Sequence, residues 1–154
     1  MSVETLGDSD HRQVWHRFYA DFAFRPSTNR FQWPGISEPP GSVTWSLTAL
    51  DDDPEYLLLD RLVSVVRRGL TACADELYAL DWHHDAYRFP TAAEDWPLSP
   101  FPDGDYYIYL TPDFRLGTFG HPWEYTLCVF GDELVTAISA ELTAVLGEPL
   151  RRSA

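Results

Sequence analysis

The chain contains no lysine, because all 11 of its basic residues are arginines. Schiff-base chemistry and lysine-bearing phosphate-binding loops both require a lysine amine, so both are excluded. Only two cysteines occur, Cys73 and Cys128, and they do not form a Cys-x-x-Cys pair. A structural zinc site of that kind is therefore excluded, and two isolated thiols are typical of apolar filler residues in a reducing compartment.

Positive charge and long apolar runs are also scarce. The chain has 24 acidic and 11 basic residues, which gives a net charge of −13. Such a surface repels nucleic acids and anionic membranes, so we expect neither as a partner. No apolar run reaches the roughly 20 residues of a membrane helix. The first five residues lack the basic and apolar regions of a signal peptide, so we expect a cytoplasmic protein.

The length and the apolar content predict one folded domain. The chain has 154 residues, of which 45% are hydrophobic and 15% aromatic. At this size, folding buries about two-thirds of the surface, which is enough for a core without disulfides or metals. We expect a flexible N-terminal segment over residues 1–9, a single α+β domain over 10–147 and a flexible C-terminal tail over 148–154.

The spacing of apolar residues predicts the order of the elements. Helical spacing follows Asp10, Asp53 and Asp132. Strands are expected at residues 42–49, 76–81, within 82–89, and at 105–111, 114–119 and 124–130. The sequence therefore predicts an α+β fold. We expect an antiparallel sheet of about five to six strands with a C-terminal three-stranded meander, and three helices packed mainly on one face.

The meander predicts a candidate site at one edge of the sheet. In antiparallel strands, the start of one strand, the end of the next and the start of the third share an edge. This rule brings together Asp105, His121 and Glu124, and the turn after the strand at 76–81 adds His84. These four residues are our catalytic candidates. Aromatic side chains are expected to contact the ligand, namely Trp33, Trp82, Tyr87, Tyr107, Tyr109 and Trp123.

Three interpretations of this group stay open. In the first, His121 or His84 is a general base oriented by Asp105 or Glu124, since imidazole titrates near neutral pH. In the second, the two histidines and one carboxylate bind zinc or ferrous iron. The spacing His121-x-x-Glu124 lies in a loop and not on a helix, so we assign no metal ligand and expect no cofactor. In the third, these side chains only hydrogen-bond the backbone where loops cross.

Four motifs carry a resemblance that spans about residues 15 to 146. They are Trp33-Pro34-Gly35-Ile36 with Glu38-Pro39, Leu80-Asp81-Trp82 with His84 and Tyr87, Pro102-x-Gly104-Asp105-Tyr106, and Gly120-His121-Pro122-Trp123-Glu124 with Cys128 and Phe130-Gly131. Together they resemble a bacterial family known as domain of unknown function 2716. The resemblance implies a single bacterial cytoplasmic domain, and it implies no activity, cofactor or catalytic residue.

Two functions from different classes are compatible with these observations. The first is a binding protein for a basic protein or peptide, because a strongly acidic surface attracts basic partners and speeds their encounter. Small acidic α+β domains include immunity proteins that neutralise basic toxins, which is an analogy of fold. The alternative is a small enzyme that uses histidine and carboxylate acid–base chemistry. Its substrate would be small, apolar or peptidic, and would bind in the aromatic-lined cleft.

Overall fold

Eight antiparallel strands form one sheet in the computed structural model, which describes residues 2–154. In chain order the elements are β1 (Glu4–Thr5), α1 (Asp8–Phe22), β2 (Val43–Ser46), α2 (Leu57–Cys73), β3 (Glu76–Asp81), β4 (Ala86–Pro90), β5 (Tyr107–Leu110), β6 (Gly117–His121), β7 (Thr126–Phe130), α3 (Asp132–Leu146) and β8 (Arg151–Arg152). The strand order is β1-β4-β3-β5-β6-β7-β2-β8. The α+β class, the antiparallel sheet and the three helices are confirmed. The expected five to six strands are wrong, because the sheet has eight.

The central strands have the predicted meander. Tyr107 at the start of β5 pairs with Gly120 near the end of β6, and His121 pairs with Thr126 at the start of β7. Asp81 at the end of β3 lies opposite Tyr107. The end of β3, the start of β5, the end of β6 and the start of β7 therefore share one edge, as the sequence predicts.

Both faces of the sheet are buried. Helices α2 and α3 cover one face, where alternate strand residues such as Ala79 and Leu127 lie in the core. Helix α1 and the segment that follows it cover the opposite face, over Leu80 and Ile108. Two helices therefore lie on one face and one on the other. Because neither face is open, the hydroxyl-bearing side of β2 is also buried, and Thr44 donates a hydrogen bond to Glu38 Oε2 over 2.7 Å.

A side chain satisfies the first amides of one helix, α2, whereas α1 and α3 both begin after a glycine. The Asp53 carboxylate accepts hydrogen bonds from the Leu58 and Leu59 amides at 2.7 and 2.9 Å, so it satisfies donors in the first turn of α2. The helix itself begins at Leu57, after a short 3-10 turn at Pro54–Tyr56, and not directly after Asp53 as predicted. Helix α3 begins at Asp132 and ends before Gly147, as predicted. Helix α1 begins at Asp8 with Gly7 as its N-cap, so the expected cap Asp10 lies inside the first turn of the helix.

Both ends of the chain add strands to the sheet, although the sequence assigned them to flexible segments at 1–9 and 148–154. Strand β1 pairs with β4, and β8 pairs with β2. The Leu150 amide also donates to the Thr44 carbonyl over 2.8 Å. These two-residue strands are the outermost strands of the sheet, one on each side. Within residues 2–154, no helix has both the length and the apolar character that crossing a membrane requires.

Candidate functional site

The predicted edge divides into a buried half around His121 and an exposed half around His84. His121 is fully buried, with none of its surface accessible to solvent. The exposed His84 lies in the turn between β3 and β4, with 64% of its side chain accessible. The two histidines therefore have different chemical surroundings and different partners.

His121 holds the turn that follows β6. Its Nδ1 accepts hydrogen bonds from the amides of Trp123 at 3.2 Å and Glu124 at 3.0 Å. An accepting Nδ1 carries no proton, so the neutral ring has its hydrogen on Nε2. Burial lowers the pKa of His121 to about 4. The imidazole is therefore neutral at physiological pH, and its basic nitrogen is occupied by backbone donors.

Aromatic rings surround the other side of His121. The ring centroids of Tyr106 and Trp33 lie 4.9 and 5.4 Å from the imidazole centroid, both edge-on. Phe119 and Trp123 complete the cluster. Within residues 2–154, Nε2 has no hydrogen-bond partner. An N–H group against aromatic faces gains only a weak interaction. This geometry favours the structural interpretation of His121, while a catalytic role stays a prediction.

Glu124 is held by a cation from the last strand. Arg151 on β8 donates to Glu124 Oε1 and Oε2 at 2.8 and 2.9 Å, and to Glu38 Oε1 and Oε2 at 2.7 and 2.9 Å. The Thr126 hydroxyl donates to Glu124 Oε1 over 2.7 Å. Burial acts to raise the pKa of Glu124, but the hydrogen bonds from Arg151 and Thr126 outweigh it and lower that pKa. Both Glu124 oxygens therefore have protein partners.

The exposed half joins His84 to two carboxylates. His84 Nδ1 lies 3.0 Å from Asp81 Oδ1 and 3.5 Å from Asp105 Oδ2, and the two aspartate side chains are 17% and 16% accessible. The hydrogen bond to Asp81 raises the pKa of His84. Burial raises the pKa of Asp81, and the nearby charges of Asp105 and Asp85 add to this effect, whereas His84 opposes it. Two crowded carboxylates thus face one imidazole.

The same three residues have the ligand chemistry of a metal site. One ligand atom each from Asp81, His84 and Asp105 lies within 4.8 Å of the others. An imidazole and two carboxylates suit zinc or ferrous iron. The pair of histidines considered from the sequence is not brought together in this way, since His121 Nδ1 is occupied by backbone amides. We assign no metal to the exposed group.

The aromatic candidates do not line one cleft. Trp82 and Trp123 flank the buried Tyr106, each with its ring centroid 5.4 Å away, and 41% of Trp123 is exposed. Tyr109 is buried, and its hydroxyl donates to the Leu98 carbonyl in the loop that joins β4 to β5. Three further candidates are partly buried, namely Trp33, Tyr87 and Tyr107. The structure therefore brings Trp82 and Trp123 near the edge, and the binding roles of all six stay predictions.

Three residues at this edge were not predicted from the sequence. Asp81 is the nearest partner of His84, and its position three residues earlier in a tight turn was an available signal. Arg151, 27 residues after Glu124, pairs with it, and Glu38, 86 residues before Glu124, pairs with the same Arg151. No local pattern in the sequence indicates such a long-range ion pair.

Comparison with known proteins agrees with the resemblance in the sequence. The family model described as "Protein of unknown function (DUF2716)" matches residues 5–135. A curated relative, the uncharacterized protein YxiI of Bacillus subtilis (strain 168), is 46% identical over 71 residues. That match covers 42% of this chain and 44% of YxiI, so it spans less than half of the relative's length. No solved structure matches the chain.

Proposed function

The chain belongs to the DUF2716 family, a family of unknown function, and we propose that it is a binding protein that takes a cationic side chain of a basic partner at the exposed edge of its sheet. One observation carries the proposal. Asp81 and Asp105, both largely buried, converge on one exposed imidazole, that of His84. A carboxylate pair with so little solvent is best satisfied by a positive group.

The surroundings of this pair are acidic as well. Burial raises the pKa of Tyr107, and the charges of Asp81, Asp103 and Asp105 raise it further. The negative potential of all three carboxylates therefore reaches the Tyr107 hydroxyl. The exposed ring of Trp123 lies on the same edge and offers a face for a cation. An arginine fits best, since its planar guanidinium can pair with carboxylate oxygens and stack on indole.

Binding of an arginine-rich peptide tests this proposal. We expect a peptide of about ten residues containing several arginines to bind at low salt, and a glutamine-substituted peptide of the same length not to bind. The double variant Asp81→Asn and Asp105→Asn should weaken binding at least about tenfold by titration calorimetry. As a matched control, Glu148→Gln removes an exposed charge beyond α3 and should leave binding within about twofold.

Two results would contradict the proposal. One is equal binding of the arginine and glutamine peptides. The other is equal weakening by the double variant and by Glu148→Gln, which would make the attraction a property of the net charge and not of this edge. Melting curves of both variants are needed, because a loss of binding counts only if the fold is kept.

A second candidate function is enzymatic, because His84 and Asp81 have the geometry of a positioned base. When Nδ1 carries the proton, it donates to Asp81 over 3.0 Å and leaves Nε2 to accept a proton from a substrate. The raised pKa of His84, caused first by this hydrogen bond, strengthens the base. The substrate would be small and apolar or peptidic.

The variant His84→Gln separates the two functions. If the edge is catalytic, the variant loses turnover of an activated ester such as p-nitrophenyl acetate, measured against free imidazole at the same concentration. If the edge binds cations, the variant keeps its affinity for the arginine peptide or gains affinity, because a competing partner of the carboxylates is removed. Loss of peptide binding with retained turnover would contradict the binding proposal.

A further inference from the structure

A groove on the α1 side of the molecule adjoins the carboxylate edge at the β3–β4 turn, but neither Asp81 nor Asp105 lines it. It lies between the outer face of α1 and the turn that joins β3 to β4, and its volume is about 720 Å³. Volumes of about 300–1,000 Å³ are usual for small-molecule sites. Its polar lining includes His11, Arg12 and His16 from α1 and His83 from the turn. The groove is therefore large enough for a ligand of one or two rings.

The charge of this groove is opposite to that of the molecule. Three of the five histidines of the chain line it, together with the guanidinium of Arg12. Although the chain has 24 acidic residues, none lines the groove within residues 2–154. Imidazole and guanidinium groups are hydrogen-bond donors to carboxylate or phosphate oxygens. Charge complementarity therefore favours an anionic ligand.

The wall of the groove is flat and aromatic. The imidazole of His83 stacks on the indole of Trp82, with ring centroids 3.5 Å apart and planes 26° apart. The Trp82 Nε1–H group donates to the Tyr19 hydroxyl over 3.0 Å, which fixes the indole relative to α1. Trp15 and Tyr19 continue the aromatic surface along the helix. A planar ring can stack on such a wall at little conformational cost.

The backbone of His83 adds an independent observation. The His84 amide donates to the Asp81 carbonyl over 2.9 Å, so His83 is the third residue of a tight turn. Its φ angle is +71°, in the left-handed region where glycine is strongly preferred. A histidine at this position costs free energy that a glycine would not. Such strained positions cluster at binding and catalytic sites.

We propose that the groove formed by α1 and the β3–β4 turn binds a small planar anion, with its ring on the Trp82–His83 wall and its charged group at Arg12 and the groove histidines. The ligand class is an aromatic carboxylate or a similar flat acid. This inference does not rest on the proposed function, since it uses different residues and the opposite charge. Either proposal can fail without the other.

Three naphthalene probes of equal size test the charge preference. We expect 2-naphthoate to quench the tryptophan fluorescence in a saturable titration, and to bind at least about tenfold more tightly than the neutral 2-naphthamide. The cationic 2-naphthylmethylamine should bind most weakly. Equal or tighter binding of the amide or the amine would overturn the proposal, and so would the absence of saturation by naphthoate.

Variants locate the site and separate binding from folding. His83→Gly removes the stacked imidazole and relieves the backbone, so the protein should melt at the same or a higher temperature while naphthoate affinity falls about tenfold. Arg12→Gln should cause a similar loss, whereas Arg61→Gln, an exposed arginine on α2, should leave affinity within about twofold. If His83→Gly and Arg12→Gln both bind naphthoate like the unmodified chain, the groove is not the site.

Discussion

At the scale of single residues, a histidine can be a structural part of a turn even where its position resembles that of a catalytic base. His121 has a fully buried ring, and its Nδ1 accepts two backbone amides. A side chain that satisfies two amides at a strand end stabilises the turn in the way that an Asn or Asp cap does. The exposed His84 has the opposite properties, since it is accessible and paired with a carboxylate.

His121 should make folding stability depend on pH. Burial lowers its pKa to about 4, whereas an unfolded histidine titrates near pH 6.5. Because the folded pKa is the lower one, the stabilisation is complete above about pH 6.5 and is lost as the pH falls towards about 4. Between about pH 7 and about pH 4.5, we expect a loss of roughly 2–3 kcal/mol from this group.

The variant His121→Asn supplies the comparison, because its Oδ1 can accept the same amides and does not titrate. Urea unfolding of both proteins at several pH values gives the free energy of unfolding. The carboxylates titrate in both proteins, so their contribution cancels in the difference. Parallel pH profiles for the two proteins would show that folding leaves the pKa of His121 unchanged, which would contradict this prediction.

At the scale of elements, the sequence predicted what local patterns determine. Strand β3 has the expected bounds Glu76–Asp81, and α3 has the expected start at Asp132 and ends before Gly147, because alternation and a terminal glycine are local signals. Strands β1 and β8 have two residues each and no periodicity. Their pairing depends on the edges of a sheet that forms from distant segments, so it could not be predicted.

In the candidate site, too, some features could be predicted from the sequence and others could not. Strand order predicted that Asp105, His121, Glu124 and His84 lie along one edge, and register confirms it. The sequence could not indicate which of them is buried, since burial depends on how β8, the segment after α1 and the loop between β4 and β5 pack around this edge. The α1 groove was missed for a related reason, because α1 alone does not form it: Trp82 and His83 come from the distant β3–β4 turn.

Strand β8 should stabilise the fold mainly through Arg151. Glu38 and Glu124 have side chains only 10% and 12% accessible, and Arg151 pairs with both. Removing the cation leaves two largely buried carboxylates unpaired, which we expect to destabilise the protein by about 2–4 kcal/mol, allowing for the partial exposure of Arg151. Arg151→Gln tests this in urea, with the exposed neighbour Arg152→Gln as the control.

A double variant assigns the loss to the ion pairs. Adding Glu124→Gln to Arg151→Gln removes one of the unpaired charges, so part of the lost stability should return. Backbone pairing of β8 is unchanged in all of these variants. A loss in Arg151→Gln no larger than that in Arg152→Gln would mean that the strand is held by its backbone hydrogen bonds alone.

At the scale of the whole molecule, the net charge of −13 should affect stability and binding in opposite directions. Like charges repel within the folded chain, and salt screens that repulsion, so the melting temperature should rise between about 20 and about 300 mM NaCl. Attraction of a basic peptide is screened by the same ions, so its affinity should fall over the same range.

The salt dependence of naphthoate binding in the groove provides a third comparison. The anionic charge of naphthoate is repelled by the molecule as a whole but attracted by Arg12 at close range, where screening is weaker. Its affinity should therefore change much less with salt than that of the arginine peptide. Equal losses for the two ligands would indicate that long-range charge, and not the local groups, governs both.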